Sequence, residues 1–162
     1  MRNIKALIMD VDGTLTDGGI YIGDSGEMMK CFYVRDGHAI KHFLPELGII
    51  PIVITGRRSD IVRERCSELG INYVIQGSSD KWSDLNAILS SLGILPEEAA
   101  YIGDDVNDKD CMSRVGIAGC PNDAVKEIKG IAHFVAESNG GRGAVREFIE
   151  WLVERDEKDF GT

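Results

Sequence analysis

Nowhere in the 162-residue chain do 18 apolar residues run uninterrupted, and the apolar part of MRNIKALIMDVDG is too short for a secretory signal. A membrane-spanning protein is therefore excluded, and a cytoplasmic location is expected. Basic residues are in the minority, 18 Lys and Arg against 27 Asp and Glu, giving a net charge of -9. That balance argues against nucleic acid as a partner, because phosphate backbones select basic surfaces. The four cysteines, Cys31, Cys66, Cys111 and Cys120, form neither a C-x-x-C pair nor a small disulfide framework, so reduced thiols are expected. Internal repeats, low-complexity segments and interdomain linkers are also missing, which leaves one domain over residues 1–162.

What is present is alternation. Strand-like runs recur as KALIMDV, IIPIVIT, NYVIQG and AAYIGDD, then more weakly as VGIAG and AHFVA. Between them lie the helical patterns HAIKHFLPELG, SDIVRERCSELG, KWSDLNAILSSLG and NDKDCMSRVG, several ending in a Gly suited to a helix C-terminus. The pattern predicts an α/β fold, a Rossmann-like, doubly wound parallel sheet with helices on both faces. One segment breaks it: GGIYIGDSGEMMKCFYV places two strand-like runs around a Gly-Asp-Ser-Gly turn, which predicts an inserted β-hairpin at about 18–34 and no separate cap domain. The tail, about 137–162, holds the Gly-rich stretch SNGGRG and an amphipathic helix, AVREFIEWLVE, with fraying expected over RDEKDFGT.

In such sheets ligands sit outside the carboxyl ends of the strands. Those ends carry Asp10-Val11-Asp12-Gly13-Thr14, Thr55-Gly56-Arg57-Arg58, Gln76-Gly77 leading to Lys81, and Gly103-Asp104-Asp105 with Asp108 beyond. Carboxylates gathered there repel one another, and a hard cation is the usual way to keep them ionised. Magnesium suits them, since it takes one or two carboxylates plus waters and bridges to substrate phosphate. Lys81 and Thr55 offer a compact positive charge and a hydroxyl to a phosphoryl group, and Gly56 lets the backbone approach closely. One aspartate can attack phosphorus while another handles a proton. Alone, D-x-D-G-T also fits an Asx-type turn or part of a calcium loop; the combination of four strand ends carries the specificity.

That combination resembles the haloacid dehalogenase superfamily of phosphotransferases. The resemblance implies that Asp10 is the nucleophile and Asp12 the general acid/base, with Thr55 and Lys81 holding the phosphoryl group. It further implies that magnesium is held by Asp10, the Asp12 main-chain carbonyl and Asp104, with Asp105 and Asp108 as supporting carboxylates. VRDG at 34–37, ITGR at 54–57, YIGDD at 101–105 and GGRGAVRE at 140–147 are similar to a narrower family, the capless 3-deoxy-D-manno-octulosonate 8-phosphate phosphatases. Membership implies a homotetramer in which hairpin and tail help cover a neighbouring subunit's site. Arg57 and Arg142 are candidates for pairing with a sugar-acid carboxylate. Similar phosphatases for nine-carbon sugar acids carry an acidic residue in place of Arg57, so Arg57 favours the eight-carbon substrate. The alternatives are a nine-carbon phosphatase and a non-catalytic assembly domain associated with a sugar-activating cytidylyltransferase.

Overall fold

The computed structural model describes residues 3–160. Six parallel strands form the sheet: β1 (Ala6–Met9), β4 (Ile50–Thr55), β5 (Tyr73–Gln76), β6 (Ala99–Ile102), β7 (Ile117–Cys120) and β8 (Phe134–Val135), in the order β5-β4-β1-β6-β7-β8. The chain winds outward from β1 in one direction and then the other, so β1 and β6 flank the point where the strand order reverses. Every residue of both strands is buried. Alternation along them divides the core in two. Leu7 and Met9 face Val62 and Cys66 of α3 (Asp60–Glu68) and Phe148 of α7 (Ala144–Phe160). Ala6, Ile8 and Tyr101 face Leu85 and Leu89 of α4 (Lys81–Leu92), together with Cys111 of α5 (Lys109–Met112) and Ile128 of α6 (Lys126–Lys129). Trp82 packs on this second core, with the Arg114 guanidinium 4.9 Å from its ring centre.

The hairpin is present, as β2 (Tyr21–Gly23) and β3 (Gly26–Met29) joined antiparallel. Its amphipathicity runs backwards for a domain packing only on itself. Ile22 and Met28 are 70% and 67% exposed, and Met29, Tyr21 and Ile20 are exposed as well. The charged Glu27 and Lys30 turn toward the strand ends instead. The helix after it begins at Val34, ahead of the run HAIKHFLPELG: α1 (Val34–His38) passes through a wider turn over 39–43 into α2 (Leu44–Glu46). Pro45 has no N–H to give and crowds the preceding turn, so the Leu44 amide reaches back five residues to the Ala39 carbonyl. At the other end, α7 continues through Phe160, past the Arg155 where fraying was expected; the final Gly161 and Thr162 lie outside the described residues. The four cysteines are unpaired, and burial pushes the thiols of Cys66, Cys111 and Cys120 well up, to about 11, 12 and 11. Among the described residues no helix is long and apolar enough to cross a membrane.

Asp36 pins α1 to α7. It is 1% exposed, and its Oδ1 accepts the Arg146 N–H at 2.8 Å, while Oδ2 has no hydrogen-bond partner. Burial raises its pKa to about 6, partly offset by the Arg146 and Gly143 amides. The folded state therefore holds this proton more tightly than the unfolded chain. The resulting stabilisation is complete below about pH 4 and is lost as pH rises through about 6. Asp36→Asn carries no such loss. Relative to wild type, the variant should gain on the order of 2–3 kcal/mol between pH 4 and pH 7.5. Urea unfolding of both proteins at the two pH values measures this, because the other carboxylates cancel in the difference; a pH-independent difference would contradict it.

Candidate active site

β1 stops at Met9, and the Asp10 amide still bonds to the Ile102 carbonyl, at 3.1 Å, so the side chain of Asp10 is presented where β1 and β6 end together. The chain then turns tightly through Val11–Leu15, closed by the Thr16 N–H on the Val11 carbonyl at 3.1 Å. Gly13 sits in this turn at φ 92°, and a Cβ there would lie 2.1 Å from Asp104 Oδ2. Only glycine lets the Asp104 carboxylate come this close. Thr14 Oγ1 donates to Asp104 Oδ1 at 3.2 Å and holds it there.

Lys81 begins α4, whose N-terminus is capped by Asp80 accepting from the Ser83 amide. Its ammonium is buried and donates to Asp10 Oδ1 at 2.8 Å and Asp108 Oδ1 at 2.7 Å. Asp108 is fully buried at the end of a one-turn helix, Val106–Asp108. It accepts three further donors: Tyr101 OH at 2.6 Å and the amides of Asp104 and Asp105 at 3.0 and 3.3 Å. Asp105 points away, is exposed and caps the turn through the Val106 amide. The two carboxylates that sequence left unranked are thereby separated. Asp108 belongs to the cluster as the anchor of Lys81, whereas Asp105 shapes its backbone.

Asp10, Asp104 and Asp108 each offer an oxygen within 4.8 Å of the others. Three carboxylates and one ammonium leave two uncompensated negative charges in a poorly hydrated site. Asp10 is accordingly pushed well above the usual carboxylate range, by burial and then by the Asp108 charge, against the pull of Lys81. Asp104 rises to about 6 for the same two reasons. Burial pulls the Lys81 pKa down, but its two carboxylates outweigh that and leave it raised. A divalent cation with oxygen ligands matches this charge. Asp108 already has four donors, so Asp10 and Asp104 are the carboxylates with capacity left for a metal.

Around this centre the remaining candidates are less uniformly placed. Thr55 is buried at the end of β4, where its carbonyl accepts the Ser78 amide, and a Cβ on the neighbouring Gly56 would make an ordinary 3.6 Å contact with the Ser78 carbonyl oxygen. Asp12 faces the hairpin, and Lys30 Nζ donates to its Oδ1 at 2.5 Å. Glu27 bonds Ser59 Oγ and lies 3.4 Å from Lys30 and 3.8 Å from Arg57 Nη2. Arg57 is thus half exposed at the rim, beside the hairpin of its own chain. Arg142 is also half exposed, bonded to the Gly141 carbonyl and 3.9 Å from Asp17. The Gly-rich tail packs directly on the Asp10–Thr14 turn: the Gly141 amide donates to the Thr14 carbonyl at 3.0 Å, and a Cβ on Gly140 would lie 1.9 Å from the Gly13 carbonyl oxygen. Sequence reasoning assigned no role to Thr14, Tyr101, Glu27 or Lys30. The first two sit inside recognised motifs, while the hairpin pair gave no periodic or spacing signal.

Known proteins share this sequence pattern and fold. The pattern of haloacid dehalogenase-like hydrolases matches residues 66–149. The 3-deoxy-D-manno-octulosonate 8-phosphate phosphatase of Escherichia coli K12 is 44% identical over 152 residues, covering 94% of this chain and 80% of that one. The crystal structure of the Yersinia pestis enzyme of that name superposes with a TM-score of 0.92 at 42% identity, covering 97% and 84% of the two chains. The Moraxella catarrhalis enzyme, solved with a magnesium ion, a phosphate ion and a KDO molecule, gives 0.90 at 38% identity, covering 94% and 87%. With the Asp10–Thr14 turn, buried Lys81 and the carboxylates standing where strand order reverses, the chain belongs to the haloacid dehalogenase-like hydrolases and, within them, to the 3-deoxy-D-manno-octulosonate 8-phosphate phosphatase family.

Proposed function

We propose that this protein is a magnesium-dependent phosphatase that converts 3-deoxy-D-manno-octulosonate 8-phosphate to the free sugar acid and inorganic phosphate. The observation that carries the reading is the buried Lys81 bridging Asp10 and Asp108 at 2.8 and 2.7 Å beside Asp104. The lysine fixes one oxygen of Asp10 and turns its carboxylate toward the open end of the sheet. Asp10 attacks phosphorus, an Asp10–phosphorus bond forms, and the bond to the sugar oxygen breaks as Asp12 gives that oxygen a proton. Water then attacks phosphorus, its proton passes to Asp12, and the bond to Asp10 breaks to release phosphate. Lys81, Thr55 and the backbone at Gly56 hold the phosphoryl group during both steps. Asp10, Asp104 and the Asp12 carbonyl would hold magnesium, which supplies charge neutralisation to the transferring group. Arg57 and Arg142, both with guanidinium nitrogens to spare, meet the carboxylate of the sugar acid.

The exposed apolar face of the hairpin supports assembly into a homotetramer, since a two-stranded hairpin is marginal in water without a partner surface. In that assembly hairpin and tail contribute to a neighbouring subunit's site. Unpaired thiols and the acidic surface fit a cytoplasmic enzyme. The test is magnesium-dependent phosphate release from the eight-carbon sugar acid phosphate, its nine-carbon analogues and simple hexose phosphates. A preference of about 100-fold or more in kcat/KM for the eight-carbon acid is expected. Equal rates on all would remove the named substrate, and a nine-carbon preference would remove Arg57 as the selector.

A further inference from the structure

The hairpin lies outside both cores, yet one of its side chains is more buried than most of the domain's. Lys30 is 1% exposed at its side chain, while the hairpin's large apolar residues face outward. Burying an ammonium costs free energy unless a carboxylate receives it. Asp12 stands nearest, at 2.5 Å, and Glu27 follows at 3.4 Å. Glu27 is itself tied to Ser59, just beyond the β4 end. A chain of contacts therefore runs from the strand ends through the hairpin and back onto Asp12.

We propose that Lys30 is a positioning residue for proton transfer: it orients the Asp12 carboxylate and so couples the hairpin to the acid/base step. The inference rests on the reading of Asp12 given above. It assigns the hairpin a part in its own chain's chemistry, separate from any covering of a neighbour. Lys30 does not need to touch the phosphoryl group, because Lys81 already bonds Asp10 Oδ1 at 2.8 Å. The prediction is selective. A sugar alkoxide leaves slowly without a proton, whereas nitrophenolate leaves readily without one.

The test is Lys30→Met, with Lys30→Arg and Asp12→Asn alongside, assayed on the sugar acid phosphate and on p-nitrophenyl phosphate. Lys30→Met should lose about 100-fold in kcat on the sugar phosphate with KM changed by less than about threefold. It should still release about one nitrophenolate per subunit in a first turnover as fast as wild type, followed by slow turnover. Lys30→Arg, which keeps the charge, should recover most of the lost kcat. An undiminished kcat on the sugar phosphate in Lys30→Met overturns the inference. So does a parallel fall in the nitrophenolate first turnover, the mark of a merely structural role, including misfolding. If Asp12→Asn splits the two substrates and Lys30→Met does not, only the present inference fails; if Asp12→Asn retains sugar phosphate turnover, the acid/base reading of Asp12 fails first.

Discussion

Asp10→Asn should lose at least about 10⁴-fold in phosphate release while remaining folded, the largest activity effect expected of any single exchange in this chain. The amide keeps an oxygen for the Lys81 hydrogen bond, so the local geometry survives. What disappears is the anionic nucleophile, and no neighbouring group replaces it. Asp104 is braced by Thr14, and Asp108 is saturated by Lys81, Tyr101 and two amides. Without metal, the exchange also removes one of three mutually repelling carboxylates. At neutral pH the variant should therefore melt no lower than wild type. Steady-state turnover and thermal unfolding in metal-free buffer measure the two halves. Turnover within tenfold of wild type would take Asp10 out of the nucleophile role.

Lys81→Met should damage both activity and stability. Among the described residues its ammonium is the one cation bonded to Asp10 and Asp108, and its removal leaves these two carboxylates facing each other in a buried site. Breaking a buried pair in this way costs roughly 3–5 kcal/mol, and losing a donor to the transferring group costs about 10³-fold in kcat. The partner exchange separates the two effects. Lys81→Met with Asp108→Asn should regain much of the lost stability, because the orphaned charge has gone, while remaining as inactive as the single variant. Magnesium should narrow the stability gap by binding the folded state and offsetting the residual charge. Urea unfolding of the four proteins, with and without the ion, gives the comparison. Strictly additive stabilities would show that Lys81 and Asp108 do not act as a pair.

Much of this was legible before any coordinates. Buried strands such as ALIM and AAYI are continuous apolar runs followed by Asp or Gly, and the strand ends pointed to the Asp10 turn, Lys81 and the acidic loop that the fold brings together. α1 was less clear. Gly37 interrupts its first turn, and the reason for that glycine is tertiary, since a Cβ there would lie 2.3 Å from the Arg65 guanidinium. Tyr101 read simply as part of a buried strand, because periodicity reports which face a residue takes and is silent on where its hydroxyl ends. Lys30 was hidden for a related reason: on a short polar-and-apolar hairpin a lysine ordinarily signals solvent. Its partner Asp12 comes from the first turn of the chain, a pairing that only the folded geometry discloses.

The tail glycines carry a consequence for how the enzyme tolerates change. Gly140 and Gly13 approach backbone to backbone, so the floor of the Asp10–Thr14 turn is built from a segment distant in the same polypeptide. A Cβ on Gly140 would strike the Gly13 carbonyl and one on Gly141 the backbone of Thr16 and Asp17, so the tail cannot acquire a side chain at either position without displacing the turn. The turn after β1 and the Gly-rich tail therefore form one inheritable unit: a graft of the tail from a relative onto this scaffold would have to bring its turn along.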